Sequence, residues 1–288
     1  MVALAGFTAS LVDGALGMGF GPTSSTILLS TGLSPAAAST TVNLAKVATG
    51  IASAISHWRF RNIDHRLVLQ LAIPGCVGAL IGVTVLSQVD GDDLRPAIAV
   101  LLLLVGLRIL VRFSRPAALA VRDADDIEHD PDRMPPFDER GVTVAAATGG
   151  LTNGLIGAWG PVVTPFLLHR GLPPRFAIGS VNTAEVAVAA ISAGSLIGAL
   201  GGKGVDGAIV VAMLAGGMIA APIAAWVVKF LPPRVMGLGV ASLLLVTNTR
   251  ELAGWADLGS SRWWLYAATP VLIGISTLTS RRARANAA

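Results

Sequence analysis

The chain has 288 residues, 53% apolar and only 13% charged, with 21 basic against 17 acidic side chains and a net charge of +4. Soluble domains carry about 25% charged residues, so the composition excludes one and predicts an all-α integral membrane protein whose main partner is the lipid bilayer. The basic excess does not indicate nucleic acid, because Arg and Lys cluster at the ends of apolar segments, where orientation signals belong.

The first apolar segment, 2–31, lacks the basic region that opens a cleavable signal peptide. It is interrupted at 17–22 by Gly-Met-Gly-Phe-Gly-Pro, residues that disrupt a helix. A short segment opened by Pro22 follows, then Gly32-Leu33-Ser34-Pro35, then three long apolar helices at 35–57, 66–88 and 94–113. The stretch 114–140 holds eight of the seventeen acidic residues and reads as a solvated loop. The pattern then returns. A segment from 141 is broken at Gly157–Gly160, Pro161 opens a short helix, Gly171-Leu172-Pro173-Pro174 follows, and three more helices are predicted at 173–199, 205–229 and 233–250. A last helix, 262–279, stands outside this pattern.

The similarity is residue by residue. Residues 20–47 align with 159–186 at a constant offset of 139, so that Gly21-Pro22 falls on Gly160-Pro161 and Val42-Asn43 on Val181-Asn182. Upstream, Leu11–Gly17 matches Leu151–Gly157 at an offset of 140, which sets Asp13 opposite Asn153. Turn residues match as well as greasy ones, which indicates duplication. The predicted units are 1–113 (first repeat), 114–140 (cytoplasmic charged linker), 141–250 (second repeat) and 251–288 (extra helix and basic tail).

Basic residues set the orientation. With loop 57–66 in the cytoplasm, sixteen of the 21 Arg and Lys fall inside, four fall outside (Arg95, Lys203, Arg250, Arg262) and Lys46 stays in the membrane. This requires each broken segment to enter and leave on one side as a re-entrant hairpin. The copies are then inverted, with the N-terminus outside and the C-terminus cytoplasmic. The alternative, a discontinuous helix crossing in each copy, makes the repeats parallel and the charge count worse.

Paired Gly-broken helices in inverted copies are the pattern of a secondary transporter. Unwound backbone at membrane depth is tolerated only where it is protein-buried or lines a wet cavity. Short helices opened by Pro22 and Pro161 would aim free N–H groups at the midplane, and such helix ends bind anions. Gly19, Gly21 and Gly160 are therefore candidate substrate contacts, with simple helix kinking as the alternative. Lys46 and Glu185 are repeat-mates near the middle of their helices. Charges at that depth cost about 2.5–3.5 kcal/mol and are functional candidates by default. Lys46 is the candidate cation for an anionic substrate and Glu185 a protonatable coupling carboxylate, with a purely structural ion pair as the alternative. Asn43 and Asn182 lie three residues earlier on the same faces, and Thr41 on the approach. Asp13 is a second coupling candidate or a cap. Thr23, Ser24, Ser25 and Thr26 give the first short helix a polar face and Thr164 the second, with bonding to their own backbone as the alternative for one or two of them; Trp159 is a candidate pocket wall, with ordinary packing as the alternative. No ATP-binding loop, metal-ligand spacing or catalytic arrangement occurs, so neither cofactor nor metal nor enzymatic activity is expected.

The two Gly-rich breaks, the Pro-led short helices, Gly-Leu-x-Pro and the small-residue helices that follow resemble the sulfite exporter TauE/SafE family over nearly the whole chain. The resemblance implies movement of sulfite, sulfonates such as sulfoacetate, or related organosulfur anions across the bacterial plasma membrane, with substrate contacts at Gly17–Pro22 and Gly157–Pro161. Alternating access with proton coupling is the leading reading; an anion channel or a transporter of another organic anion is the alternative. Oligomeric state is left open.

Overall fold

The computed structural model describes residues 2–16, 19–114, 134–201, 206–227 and 233–256. Ten helices are present among them: α1 (Val2–Leu16), α2 (Phe20–Ser30), α3 (Pro35–Arg59), α4 (His65–Gln88), α5 (Gly91–Ser114), α6 (Val142–Ile156), α7 (Gly160–His169), α8 (Pro174–Ala199), α9 (Gly207–Val227) and α10 (Pro233–Trp255). Both expected breaks are present, between α1 and α2 and between α6 and α7. The predicted helix 262–279, most of the linker, and Gly17 and Met18 lie outside the described residues.

Three of the helices are long and apolar enough to cross a membrane, His65–Gln88, Asp93–Ser114 and Pro174–Ala199. A helix of 24 residues such as α4 rises about 36 Å at 1.5 Å per residue, enough for a hydrocarbon core of about 30 Å.

Gly-Leu-x-Pro does the same work in both copies. Gly32 (φ 93°) and Gly171 (φ 90°) take the left-handed conformation just past α2 and α7. The next residue closes the turn: Leu33 N–H donates to Leu28 O at 3.4 Å, and Leu172 N–H to Leu167 O at 3.1 Å. This is the Schellman arrangement, which satisfies end carbonyls a helix leaves free. Pro35 and Pro174 then open α3 and α8, where a missing N–H costs nothing. The starts of the short helices differ from expectation. α2 begins at Phe20 and α7 at Gly160, so Pro22 and Pro161 are third and second residues rather than first. The first four N–H groups of a helix lack partners anyway, so proline is tolerated throughout this turn.

Packing pairs the helices across the repeat. α4 lies chiefly against α6, and α1 against α9; these are equivalent couples. α3 packs on α8 and α5 on α10, each on its own repeat-mate. Contacts of α3 and of the turn after it with α8 run Asn62–Gly179, Ser53–Asn182 and Gly50–Val186, so α3 and α8 are antiparallel.

Close approach explains the small residues. A methyl on Gly150 would lie 1.9 Å from Gly75 O, one on Gly78 would lie 2.0 Å from Ala147 O, and one on Gly6 would lie 2.0 Å from Met213 O. Membrane helices associate through such backbone contact, since lipid supplies no hydrophobic drive.

Three apolar clusters fill the remaining space: around α4, α5 and α10 (Leu102, Leu244), around α4, α6, α7 and α8 (Trp159, Phe176), and around α1, α2 and α3 (Leu28, Val42).

The basic loops gather at one end. Arg66 pairs with Glu139 at 3.6 Å, Arg170 pairs with Asp138, and Asp138 N–H donates to Arg170 O at 3.4 Å. The entry to α6 and the exit from α7 are thus neighbours.

Candidate functional site

Where α6 stops, its terminal carbonyls need partners, and the first copy supplies them. Ser25 Oγ donates to Ile156 O at 2.7 Å, Ser39 Oγ to Gly154 O at 2.8 Å and Asn43 Nδ2 to Asn153 O at 3.3 Å. Lys46 Nζ donates to Gly157 O at 2.6 Å. Gly157 adopts φ 69°, which glycine tolerates and a substituted residue resists. A cation beside the C-terminal end of α6 also meets the negative end of the helix dipole.

Lys46 is 6% exposed and has three partners: Gly157 O, Asn153 Oδ1 at 2.9 Å, and the Glu185 carboxylate. An ammonium has three N–H donors, so this set satisfies it. The repeat-mates Lys46 and Glu185 thus meet across the α3–α8 contact. Glu185 remains 18% exposed because it faces a cavity.

The cavity is small, about 70 Å³, room for a few water molecules at about 10–15 Å³ each on the same measure. Its walls are the first turns of both short helices (Gly19, Phe20 and Gly21; Gly160 and Pro161), the Gly157 break, Asp13 from α1, Lys46, Thr49 and Ser53 from α3, and Asn182 and Glu185 from α8. Both interrupted helices therefore contribute backbone to the same hollow. Asp13 also accepts from Phe20 N–H at 3.3 Å, tying α1 to the start of α2.

Of the residues expected from sequence, Asp13, Gly19, Gly21, Lys46, Gly160, Asn182 and Glu185 line the cavity. The others lie outside it. Thr41 Oγ1 donates to Ala37 O of its own helix at 2.8 Å. Asn43 is fully buried beside Asn153. Thr23, Ser24 and Thr164 are buried in the protein. Trp159 is fully buried rather than a pocket wall: its Nε1–H donates to Val181 O at 3.1 Å, and its ring occupies the space left by Gly75 and Gly149.

Ser25, expected on the polar face of α2, ends α6 instead, and sequence reasoning missed Ser39, Ser53 and Ser192. The last two were within reach, since the same offset of 139 relates them. Asn182 Nδ2 donates to Ser53 Oγ at 3.2 Å and Asn153 Nδ2 to Ser192 Oγ at 3.1 Å.

A multi-pass helical protein with interrupted helices converging on a polar, cation-bearing cavity has the build of a membrane transporter. Residues 2–250 match the family model described as sulfite exporter TauE/SafE, and the chain belongs to that family. It is 42% identical over 253 residues to the "Probable membrane transporter protein YtnM" of Bacillus subtilis (strain 168), covering 87% of this chain and 81% of that protein. No solved structure matches the chain.

Proposed function

We propose that the protein is a secondary transporter that moves a small sulfur-containing anion, such as sulfite or a sulfonate, across the bacterial plasma membrane by alternating access coupled to protons. The chemical class of the cargo comes from family membership. The observation that carries the site is the Lys46 ammonium, held in the cavity wall beside both helix breaks and neutralised there by Glu185. Glu185 acts as an internal stand-in for the substrate. An arriving anion competes with its carboxylate for Lys46, while Gly157 O and Asn153 Oδ1 keep the ammonium in position.

The antiparallel run of α3 and α8, which are repeat-mates, supports an inverted arrangement of 1–113 and 141–250. The meeting of α6 entry and α7 exit at the Arg170–Asp138 contact supports a re-entrant second hairpin. Coupling runs through Glu185, whose carboxylate loses its ammonium partner when an anion takes Lys46.

The test is a binding survey of sulfite, sulfate, thiosulfate, sulfoacetate and taurine on purified protein, followed by flux into proteoliposomes. Saturable, gradient-driven accumulation is expected. Unitary currents without accumulation would instead identify a channel.

A further inference from the structure

The two copies carry equivalent polar clusters in different states. In one, Asn43, Asn153 and Ser192 are fully buried and bonded to each other. Asn153 Nδ2 donates to Asn43 Oδ1 at 2.7 Å and to Ser192 Oγ at 3.1 Å, while Asn153 Oδ1 accepts from Lys46 Nζ at 2.9 Å. One repeat away, the corresponding residues are Asn182, Asp13 and Ser53, with Glu185 in place of Lys46. These four are only half-buried and line the cavity. Asn182 bonds Ser53, and Asp13 is turned to Phe20 N–H. The first cluster is closed around Asn153; the second stands open.

Closing the second cluster in the same way is a question of donors. Asn153 donates twice and accepts once through its side chain. An ionised Asp13 has acceptors only, so it cannot replace those donations. Its neighbour would be the Glu185 carboxylate where Asn153 has an ammonium, and two adjoining carboxylates do not both stay ionised. One proton supplies one of the two donations and leaves a single charge on the carboxylate pair, while the existing Asn182–Ser53 bond holds the third member. A carboxylic acid has the planar shape of a carboxamide, with one O–H donor and one carbonyl acceptor.

We propose that Asp13 and Glu185 form a proton site, and that the proton, held on Asp13, lets the open cluster close as the Asn153 cluster is closed. The inference rests on the transport reading, for which it supplies the step between cavity states. Asp13 releases Phe20 N–H, gains one proton, and donates its O–H to Asn182 or Ser53; no other bond changes partner atoms. The charged groups on its cavity are Glu185 and Lys46. Of the helices packed on α1, α2 and α9 carry no ionisable side chain, and α10 carries Arg234, Arg250 and Glu251 near its ends.

The test uses a single cysteine at Thr49, on the cavity wall, in a Cys76→Ser background. Labelling by a small water-soluble thiol reagent is measured without any transported anion, and each rate is divided by that of denatured protein at the same pH. Between about pH 8 and about pH 5 the relative rate should fall about tenfold as the cluster closes. With Asp13→Asn added, it should be low at both pH values. Glu185→Gln, which removes the adjoining carboxylate, should move the pH dependence to lower pH and serves if Asp13→Asn does not fold; a dependence that stays where it is in that variant also overturns the proposal. A relative rate that ignores pH in the parent, or a pH dependence that survives Asp13→Asn, overturns the proposal. Because no anion is present, a failure to bind or carry one sinks the transport reading and leaves this result standing.

Discussion

The carbonyl oxygen of Gly157 stands where a side chain on Gly21 would begin: a methyl there would lie 1.7 Å from it. The same oxygen accepts from Lys46 Nζ at 2.6 Å. The two helix breaks therefore touch through backbone, and the contact is anchored by the buried cation.

Gly21→Ala should lower the melting temperature of the purified protein and abolish substrate binding, since overpacking of this kind costs about 1–3 kcal/mol. Gly194→Ala is the control. That glycine is in α8 with nothing within 4 Å of an added methyl, so the change should be neutral or stabilising by up to about 1 kcal/mol. Equal effects of the two substitutions would refute the contact.

Lys46→Gln should weaken anion binding at least about tenfold, or about 1.4 kcal/mol. It also strands Glu185 and should destabilise the protein. Adding Glu185→Gln separates the two effects: the double variant should recover melting temperature but not affinity. Recovery of both would mean that the pair is structural.

Wild-type flux into proteoliposomes should respond to an imposed pH gradient. Glu185→Gln is expected to exchange substrate across the membrane without concentrating it under that gradient. Continued accumulation by the variant would remove Glu185 from the coupling step.

Orientation is read with tags before Met1 and after Ala288 in intact cells. The N-terminal tag should be accessible from outside and the C-terminal tag protected. Both tags on one side would exclude the inverted arrangement.

At the loop end, the Asp138 carboxylate accepts from Arg140 N–H at 3.0 Å and pairs with Arg170. The Arg140 N–H first, and then the Arg170 guanidinium, hold its pKa below the usual carboxylate range. A depressed carboxylate contributes stability that is full above its unfolded value, about 3.9, and is lost as pH falls through the lower folded value. Asp138→Asn should therefore speed proteolysis near residues 134–140 at neutral pH, and the difference from wild type should vanish in strong acid.

Much of this was legible in sequence. Glycine and proline mark turns through backbone chemistry that is local, so the breaks at 17–22 and 157–161 and the Gly-Leu-x-Pro turns could be placed before any contact was known. The constant offset made Lys46 and Glu185 partners by position. Ser25 was legible as a polar-face residue, but its partner and Ser39 were not, because hydroxyls within a helix usually bond their own backbone; only the packing shows that these two end α6. Trp159 could not be settled between pocket wall and packing for the same reason. Its partners, Gly75, Gly149 and Val181, come from three other helices, and no periodicity in one segment announces them.

The packing of α4 on α6 and of α1 on α9 divides the molecule along a line the duplication does not follow. Each of these pairs joins the first helix of one copy to a long helix of the other. Gly75 and Gly78 meet Gly150 and Ala147 of the other copy. A lone copy would keep those bare glycine faces with nothing to close them. A single-copy forebear using this interface would have had to build it between two identical chains, each lending its first helix to the other.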